Sequence, residues 1–413
     1  MSSKTDKNVW IEAGQSLLPE MIALRRAIHR EPELGLKTPA TTTKAKQALA
    51  GLPLEFLEGP STTGFVAQLP GPANGRTVLL RADMDALPMR EDTGLAFASA
   101  RDGAMHACGH DSHVAMLMGA ARALCANRER LAGSVLFMFQ PGEEGHHGAR
   151  FMLEDGLLDP LPDAAFALHV WPNFPGGVFA GKPGPLLAAA DRILLTVAGK
   201  GGHASQPHLT IDPIPIACEI VTALQALVTR RIPAFDPVVI TIARITSGTT
   251  NNVIPETAEL EGTIRSFSEK SRRLAHEGVR RVAENIAAAH SAATSVEIIP
   301  GFPVTLCDGR AVALARRTAE QVFGEAGWQT IPNPVMSAED FSYVLQKVPG
   351  AMLFLGAVPE GGDPANCCGL HSNRMVLDES VMARGAAMHC AIAESFLGEG
   401  FGEAGETGGP AGP

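Results

Sequence analysis

Nine residues, Met105-His-Ala-Cys-Gly-His-Asp-Ser-His113, gather three histidines, a cysteine and an aspartate directly ahead of an apolar run, 114–124. Cys108 and His110 stand two apart across a glycine, so a sulfur and a nitrogen donor can converge on one cation where a helix begins. A closed structural zinc site needs a second close pair, and the chain has none. Cys367 and Cys368 are adjacent, while Cys125, Cys218, Cys307 and Cys390 stand alone, so further ligands must be His, Asp or Glu.

Such donors recur where short apolar runs stop. Asp83 and Asp85 follow 77–80, Glu143 and Glu144 follow 134–139, His169 follows 164–168, and His371 lies in Gly369-Leu-His-Ser372. Together with Cys108 and His110 these are too many for one catalytic ion, which takes about three protein ligands and a water. Two divalent ions with a shared ligand account for them, a pair that polarises a carbonyl and makes hydroxide available near neutral pH. Neighbouring glutamates on a tight Gln-Pro-Gly turn point in different directions. One can ligate while the other takes a proton from water.

The elements that must position these groups read as an α/β protein. Residues 16–30 carry apolar side chains at helical spacing up to Pro32, and buried strands at 65–69, 77–80, 134–139 and 164–168 are separated by helical segments. That alternation predicts a mostly parallel sheet, whose ligands bind beyond the carboxyl ends of the strands. From residue 191 the pattern becomes strand 193–197, helix 213–229, strands 238–245 and 258–264, helix 269–289 and strand 295–299. This βαββαβ order matches a ferredoxin-like insertion. The chain then returns with helix 311–326, strand 352–355 and helix 379–396. The expected division is 1–190 with 301–397 as one discontinuous domain, 191–300 as the insertion, and 398–413 as a disordered tail rich in Gly, Glu and Pro.

Composition bounds the function. In 413 residues, 45% are hydrophobic and 19% charged, enough apolar content for two cores, and the net charge is −10. Nucleic acid and anionic membrane surfaces reward clustered Lys and Arg, so neither is the expected partner; a small molecule is. No apolar leader of about 7–15 residues opens the chain, and no apolar run of about 18 follows. A cytoplasmic location with seven reduced thiols is therefore expected.

Eight motifs, in order, carry a family resemblance: Arg81-Ala-Asp-Met-Asp-Ala-Leu-Pro88, Met105 to His113, Gln140-Pro-Gly-Glu-Glu144, His169-Val-Trp-Pro172, Gly199-Lys-Gly-Gly-His-Ala204, Asn252-Val-Ile-Pro255, Ser337-Ala-Glu-Asp-Phe341 and His371-Ser372. Over roughly residues 15–397 the chain resembles the amidohydrolase branch of the M20 metallopeptidases, which includes N-acyl-amino-acid amidohydrolases, hippurate hydrolases and auxin-conjugate hydrolases. The resemblance implies a dinuclear metallohydrolase domain with Cys108, His110, Glu144, His169 and His371 as ligands and Glu143 as general acid and base. It implies two divalent ions per subunit, Mn²⁺ or Zn²⁺ with Co²⁺ or Ni²⁺ as substitutes. It also makes 191–300 a lid and dimerisation domain, so a homodimer, or a tetramer built from it, is expected. Two departures stand out: Asn373-Arg374 where a proline is usual, and Gly142 where alanine is common. Neither removes a chemical group.

The remaining assignments follow from that frame. Asp85 is expected as the carboxylate orienting a ligand histidine, with Asp83 structural or similarly placed, and His106 and His113 as local hydrogen-bonding groups. The resemblance makes His203 a donor to the developing oxyanion across the dimer. Arg265 is the candidate for binding a substrate α-carboxylate, because its planar fork matches that group, with Asn252 as a polar contact. The bland alternative pairs Arg265 with Glu261. The expected reaction is metal-dependent hydrolysis of the amide of an N-acetyl or N-benzoyl L-amino acid. A dipeptidase or carboxypeptidase, or an inactive ligand-binding dimer, are the alternatives.

Overall fold

The computed structural model describes residues 8–402 and divides the chain into two compact units. The first comprises the chain up to 186, 306–333 and from 340 onward; the second comprises 187–305 and 334–339. The short segment 334–339 departs from the expected boundaries for a local reason. Ala188 donates its N–H to the carbonyls of Val335 at 3.2 Å and Ser337 at 2.8 Å, so the returning chain is hydrogen-bonded to the start of the insertion.

The first unit is built on an eight-stranded sheet in the order Glu55–Glu58, Phe65–Leu69, Ser134–Gln140, Thr77–Asp83, Ala164–Trp171, Gly350–Gly356, Phe179–Gly181, Trp328–Thr330. Its four central strands, from Ser134–Gln140 to Gly350–Gly356, are mutually parallel. They are buried along almost their whole length, as continuous apolar runs demand in a sheet covered on both faces. Being parallel, they bring their carboxyl ends to one edge. Asp83 pairs in register with Gln140, and His169 with Phe354.

Helices Asn8–His29, His110–Ala126 and Val381–Glu399 pack on one another beside this sheet. The first begins earlier than the apolar spacing predicts because Trp10, 1% exposed, is itself core and donates its indole N–H to Glu394 at 2.6 Å. The expected disordered tail is corrected in part. The last helix runs through Gly398 to Glu399, and Phe401 packs on Phe396 with ring centroids 4.9 Å apart. Arg317 also donates to Phe401 O at 2.9 Å; residues 403–413 lie outside the described residues.

The second unit is a four-stranded antiparallel sheet in the order Val238–Ser247, Thr257–Ser266, Ala189–Ala198, Ala293–Pro300, which is the ferredoxin-like order. Ala258, Leu260 and Ile264 alternate inward and meet Ile216, Ile220, Leu224 and Leu227 of helix Pro213–Arg231 in one core. Asp212 and Ser268 cap the two helices, accepting from Ile214 N and Ser271 N at 3.0 Å each.

A buried polar group joins helix Asn8–His29 to helix His110–Ala126. Asp111 accepts from Arg25 at 3.0 Å and contacts His29 Nδ1 at 2.8 Å, while His29 Nε2 lies 3.2 Å from Glu91. Burial opposes a charged His29, but Asp111 and Glu91 outweigh it and raise its pKa from 6.5 to about 9. A folded-state pKa above the unfolded value means stability that is fully present below pH 6.5 and lost as pH rises through 9. His29→Gln should therefore cost on the order of 2 kcal/mol at about pH 6, and distinctly less at about pH 10. Urea titrations at both pH values check this; an equal cost at both would refute a charged His29.

Candidate metal centre

Each candidate ligand stands at a strand end or a loop forced close to one. Gly109, with φ +84°, caps helix His110–Ala126, and a Cβ there would lie 2.4 Å from Val170 Cγ2. Only glycine lets the Cys108–His110 turn lie against the strand bearing His169. Gly142, at φ +76°, makes the turn that presents the two glutamates, which gives the departure at this position a backbone reason.

The donors converge. Those of Cys108, His110 and Glu144 lie within 4.8 Å of one another. Cys108 Sγ is 3.5 Å from His169 Nε2, and His371 Nε2 is 3.3 Å from Glu144 Oε1. Glu143 Oε2 lies 4.0 Å from His110 Nε2, with the Glu143 side chain buried. The five expected ligands and the expected base thus share one neighbourhood, all within the first unit.

Hydrogen bonds on the far side of each ring decide which nitrogen faces inward. His110 Nδ1 donates to the backbone carbonyl of Asp85 at 2.8 Å and His169 Nδ1 to that of Val170 at 2.7 Å, so both present Nε2. His110 Nε2 is buried without a hydrogen-bond partner, and the buried Glu144 Oε1 meets His371 Nε2 at 3.3 Å. A buried, unpartnered imidazole nitrogen beside a carboxylate oxygen and a thiol fits a divalent cation.

The expected role of Asp85 is corrected here. Its carboxylate is 3.7 Å from His110 Nδ1, and its backbone carbonyl orients the ring instead. The carboxylate accepts from the backbone N–H of Glu143 at 2.9 Å and of Glu144 at 3.0 Å, so it holds the turn that carries both glutamates. Both ring nitrogens of His113 are engaged in hydrogen bonds: Nδ1 with Asp83 at 2.5 Å, Nε2 accepting from Val170 N at 2.9 Å. His106 is buried with both nitrogens unpartnered, and burial pushes its pKa down to about 3.

Charge orders the centre. Burial alone would lower the His110 pKa, but Asp83 and then Cys108 raise it well above the usual value. Burial, then His113, lowers that of His169 and keeps the ring neutral. Burial raises the Cys108 thiol against the pull of His110. His371, hydrogen-bonded by Cys108 and Glu144, is raised to about 10.

Sequence reasoning missed the support beneath these groups. Arg81, 1% exposed, donates to Gln140 at 2.8 Å, Asp83 at 2.6 Å and Asp340 at 3.0 Å. Gln140 and the Ala149 N–H also bind Asp340. The signal was present, since Arg81, Gln140 and Asp340 all lie within the quoted motifs, but nothing in one dimension pairs them.

In the second unit, Gly202–His203 pairs with Val253–Ile254, and Ala204 N donates to Asn252 O at 3.1 Å, so His203 and Asn252 are neighbours. Ser205 N donates to His203 Nδ1 at 3.1 Å, which leaves the proton of the neutral ring on Nε2. Arg265 is half-buried, and no hydrogen bond or ion pair holds it among the described residues. Glu261 pairs instead with Arg192 at 2.7 Å and Arg244 at 3.5 Å.

A parallel α/β domain with clustered His, Cys and Glu donors at its strand ends, beside a buried glutamate, defines a metal-dependent hydrolase. The chain belongs to peptidase family M20/M25/M40, whose model matches residues 79–395. It is 39% identical over 382 residues to thermostable carboxypeptidase 1 of Saccharolobus solfataricus, covering 91% of this chain and 95% of that one. It is 40% identical over 346 residues to N-acetylcysteine deacetylase of Bacillus subtilis, covering 83% and 90%. A solved Bacillus subtilis structure, described as a dinuclear metal binding peptidase from the M20 family, superposes with TM-score 0.80 at 35% identity, covering 93% and 99%.

Arg81→Met would leave Asp83 and Asp340 buried without their shared cation. A loss of about 3–5 kcal/mol in urea unfolding is expected; a loss under about 1 kcal/mol would show that the network is dispensable.

Proposed function

We propose that this protein hydrolyses the amide bond of N-acyl-L-amino acids of the N-acetyl or N-benzoyl type, releasing a carboxylic acid and an amino acid. The observation that carries the reading is the buried His110 Nε2, which has no hydrogen-bond partner and lies 4.0 Å from both Glu143 Oε2 and Glu144 Oε1. Cys108, His110, Glu144, His169 and His371 would hold two divalent cations, Mn²⁺ or Zn²⁺ first, Co²⁺ or Ni²⁺ next. Such cations supply Lewis-acid polarisation of a carbonyl oxygen and a lowered pKa for water.

The chain's own groups supply the rest. Glu143 takes a proton as a water oxygen bonds to the acyl carbon, and returns it to the nitrogen as the C–N bond breaks. Asp85 keeps Glu143 in place through its backbone N–H. His203, with its proton on Nε2, donates to the oxyanion in the site of a partner subunit of a homodimer. Arg265 binds the free α-carboxylate of the substrate, and Asn252 adds a polar contact.

The deacetylase relative supports an N-acyl substrate, and the carboxypeptidase relative supports a second reading in which the leaving amino acid comes from a peptide. Turnover of N-acetyl, N-benzoyl and dipeptide substrates with Mn²⁺ and Zn²⁺ separates them by whether a free α-amino group is tolerated. Cleavage of dipeptides alone would overturn the first reading.

Glu143→Gln should keep the metal content and lower kcat by at least about 10²-fold. Mixing it with inactive His203→Ala protomers should restore activity through heterodimers holding one intact site. Near-wild-type turnover of the single variant removes Glu143 as the base, and silent heterodimers confine His203 to its own chain.

For Arg265→Lys the expectation is a raised KM for N-acyl amino acids and little change for the matching amides, which lack the carboxylate. Equal losses on both would make Arg265 a structural residue of the insertion.

A further inference from the structure

His371 is the least supported of the five proposed ligands. Its side chain is 55% exposed, where those of His110 and Glu144 are 0% and 12% exposed, and its backbone sits at φ +64°. A non-glycine residue in that region persists only when its surroundings hold it there. The loop before it, 359–370, has no buried residue, so packing does little of the holding.

One cluster of contacts does. Asn173 Nδ2 lies 3.1 Å from Pro364 O, 3.1 Å from Cys367 O and 3.3 Å from Cys367 Sγ, and the Cys367 thiol donates to Pro172 O at 2.9 Å. These bonds tie the loop to residues 172 and 173, three and four places beyond His169. Two proposed ligands far apart in sequence are thereby referred to one strand end. On the other flank, the His371 N–H reaches Ala107 O at 2.8 Å, next to Cys108.

We propose that Asn173 is a positioning residue for His371, clamping the ligand-bearing loop through Pro364 and Cys367 onto the end of the His169 strand. The proposal rests on His371 being a metal ligand. Without the clamp the loop must be ordered each time His371 closes on a cation, and that entropy is subtracted from the binding free energy.

Competition with a chromogenic chelator for Zn²⁺ tests this without reference to turnover. Asn173→Ala, and Asn173→Asp, which keeps the shape but loses the N–H donors, should each weaken one of the two ions about 10- to 100-fold and leave the other unchanged. His371→Ala should weaken the same ion, and adding Asn173→Ala to it should cost nothing more. Cys367→Ser, which keeps a donor for Pro172 O, should remain near wild type. If His371→Ala leaves both ions unchanged, the ligand reading fails and the clamp with it. If His371→Ala weakens an ion but Asn173→Ala does not, or costs as much again in the His371→Ala background, the clamp alone is overturned. Should Asn173→Ala fail to fold, Gly369→Ala decides under the same criteria. Its Cβ would lie 2.7 Å from Asn173 Oδ1 and part the clamp with every polar group kept.

Discussion

The guanidinium of Arg81 is buried among the strand ends and donates to Gln140, Asp83 and Asp340, which come from three separate stretches of chain. Burial works to raise the Asp83 pKa, but Arg81, then His110 and His113, keep it well below the usual carboxylate range. An ionised Asp83 is what receives His113, and His113 in turn receives the N–H of Val170. One buried cation therefore fixes the strand end from which His169 projects. A buried ion pair of this kind is weak as a source of net stability but strict as to geometry, because each partner left alone is costly.

The same economy of contacts governs the rings of the proposed ligands. Backbone carbonyls, from Asp85 and Val170, orient His110 and His169, and these carbonyls sit at or just beyond strand ends whose positions the sheet already sets. The Asp85 carboxylate is then free to anchor the N–H groups of Glu143 and Glu144. A single residue thus registers His110 with its main chain and the glutamate turn with its side chain, which couples the proposed base to the proposed ligands.

The second unit follows a different logic. Its sheet is covered by helices on one face, and its strands alternate, so Arg265 and Glu261 stand on the face away from the core while Leu260 and Ile264 fill it. On that face Glu261 is taken by Arg192 and Arg244, and Arg265 keeps its donors. His203 and Asn252 are brought together by two short paired segments rather than by the main sheet. Polar groups with spare capacity, on faces that the core does not use, are where a substrate-binding role carries little structural cost.

Much was legible in one dimension. The βαββαβ order, the continuous apolar runs of the parallel strands, and donors placed where those runs stop are properties of local pattern, and local pattern is what periodicity and strand-end chemistry report. Helix 269–289 coincides with its expected bounds for that reason. The tertiary structure alone decided the rest, because it depends on pairings across long separations. It chose the Asp85 carbonyl over its carboxylate for His110, used both nitrogens of His113, paired Glu261 away from Arg265, buried Arg81 against Asp340, and packed Phe401 on Phe396. Residue types and spacing determine which groups are present at an edge; which lone pair each group has left is set only when distant segments close upon it.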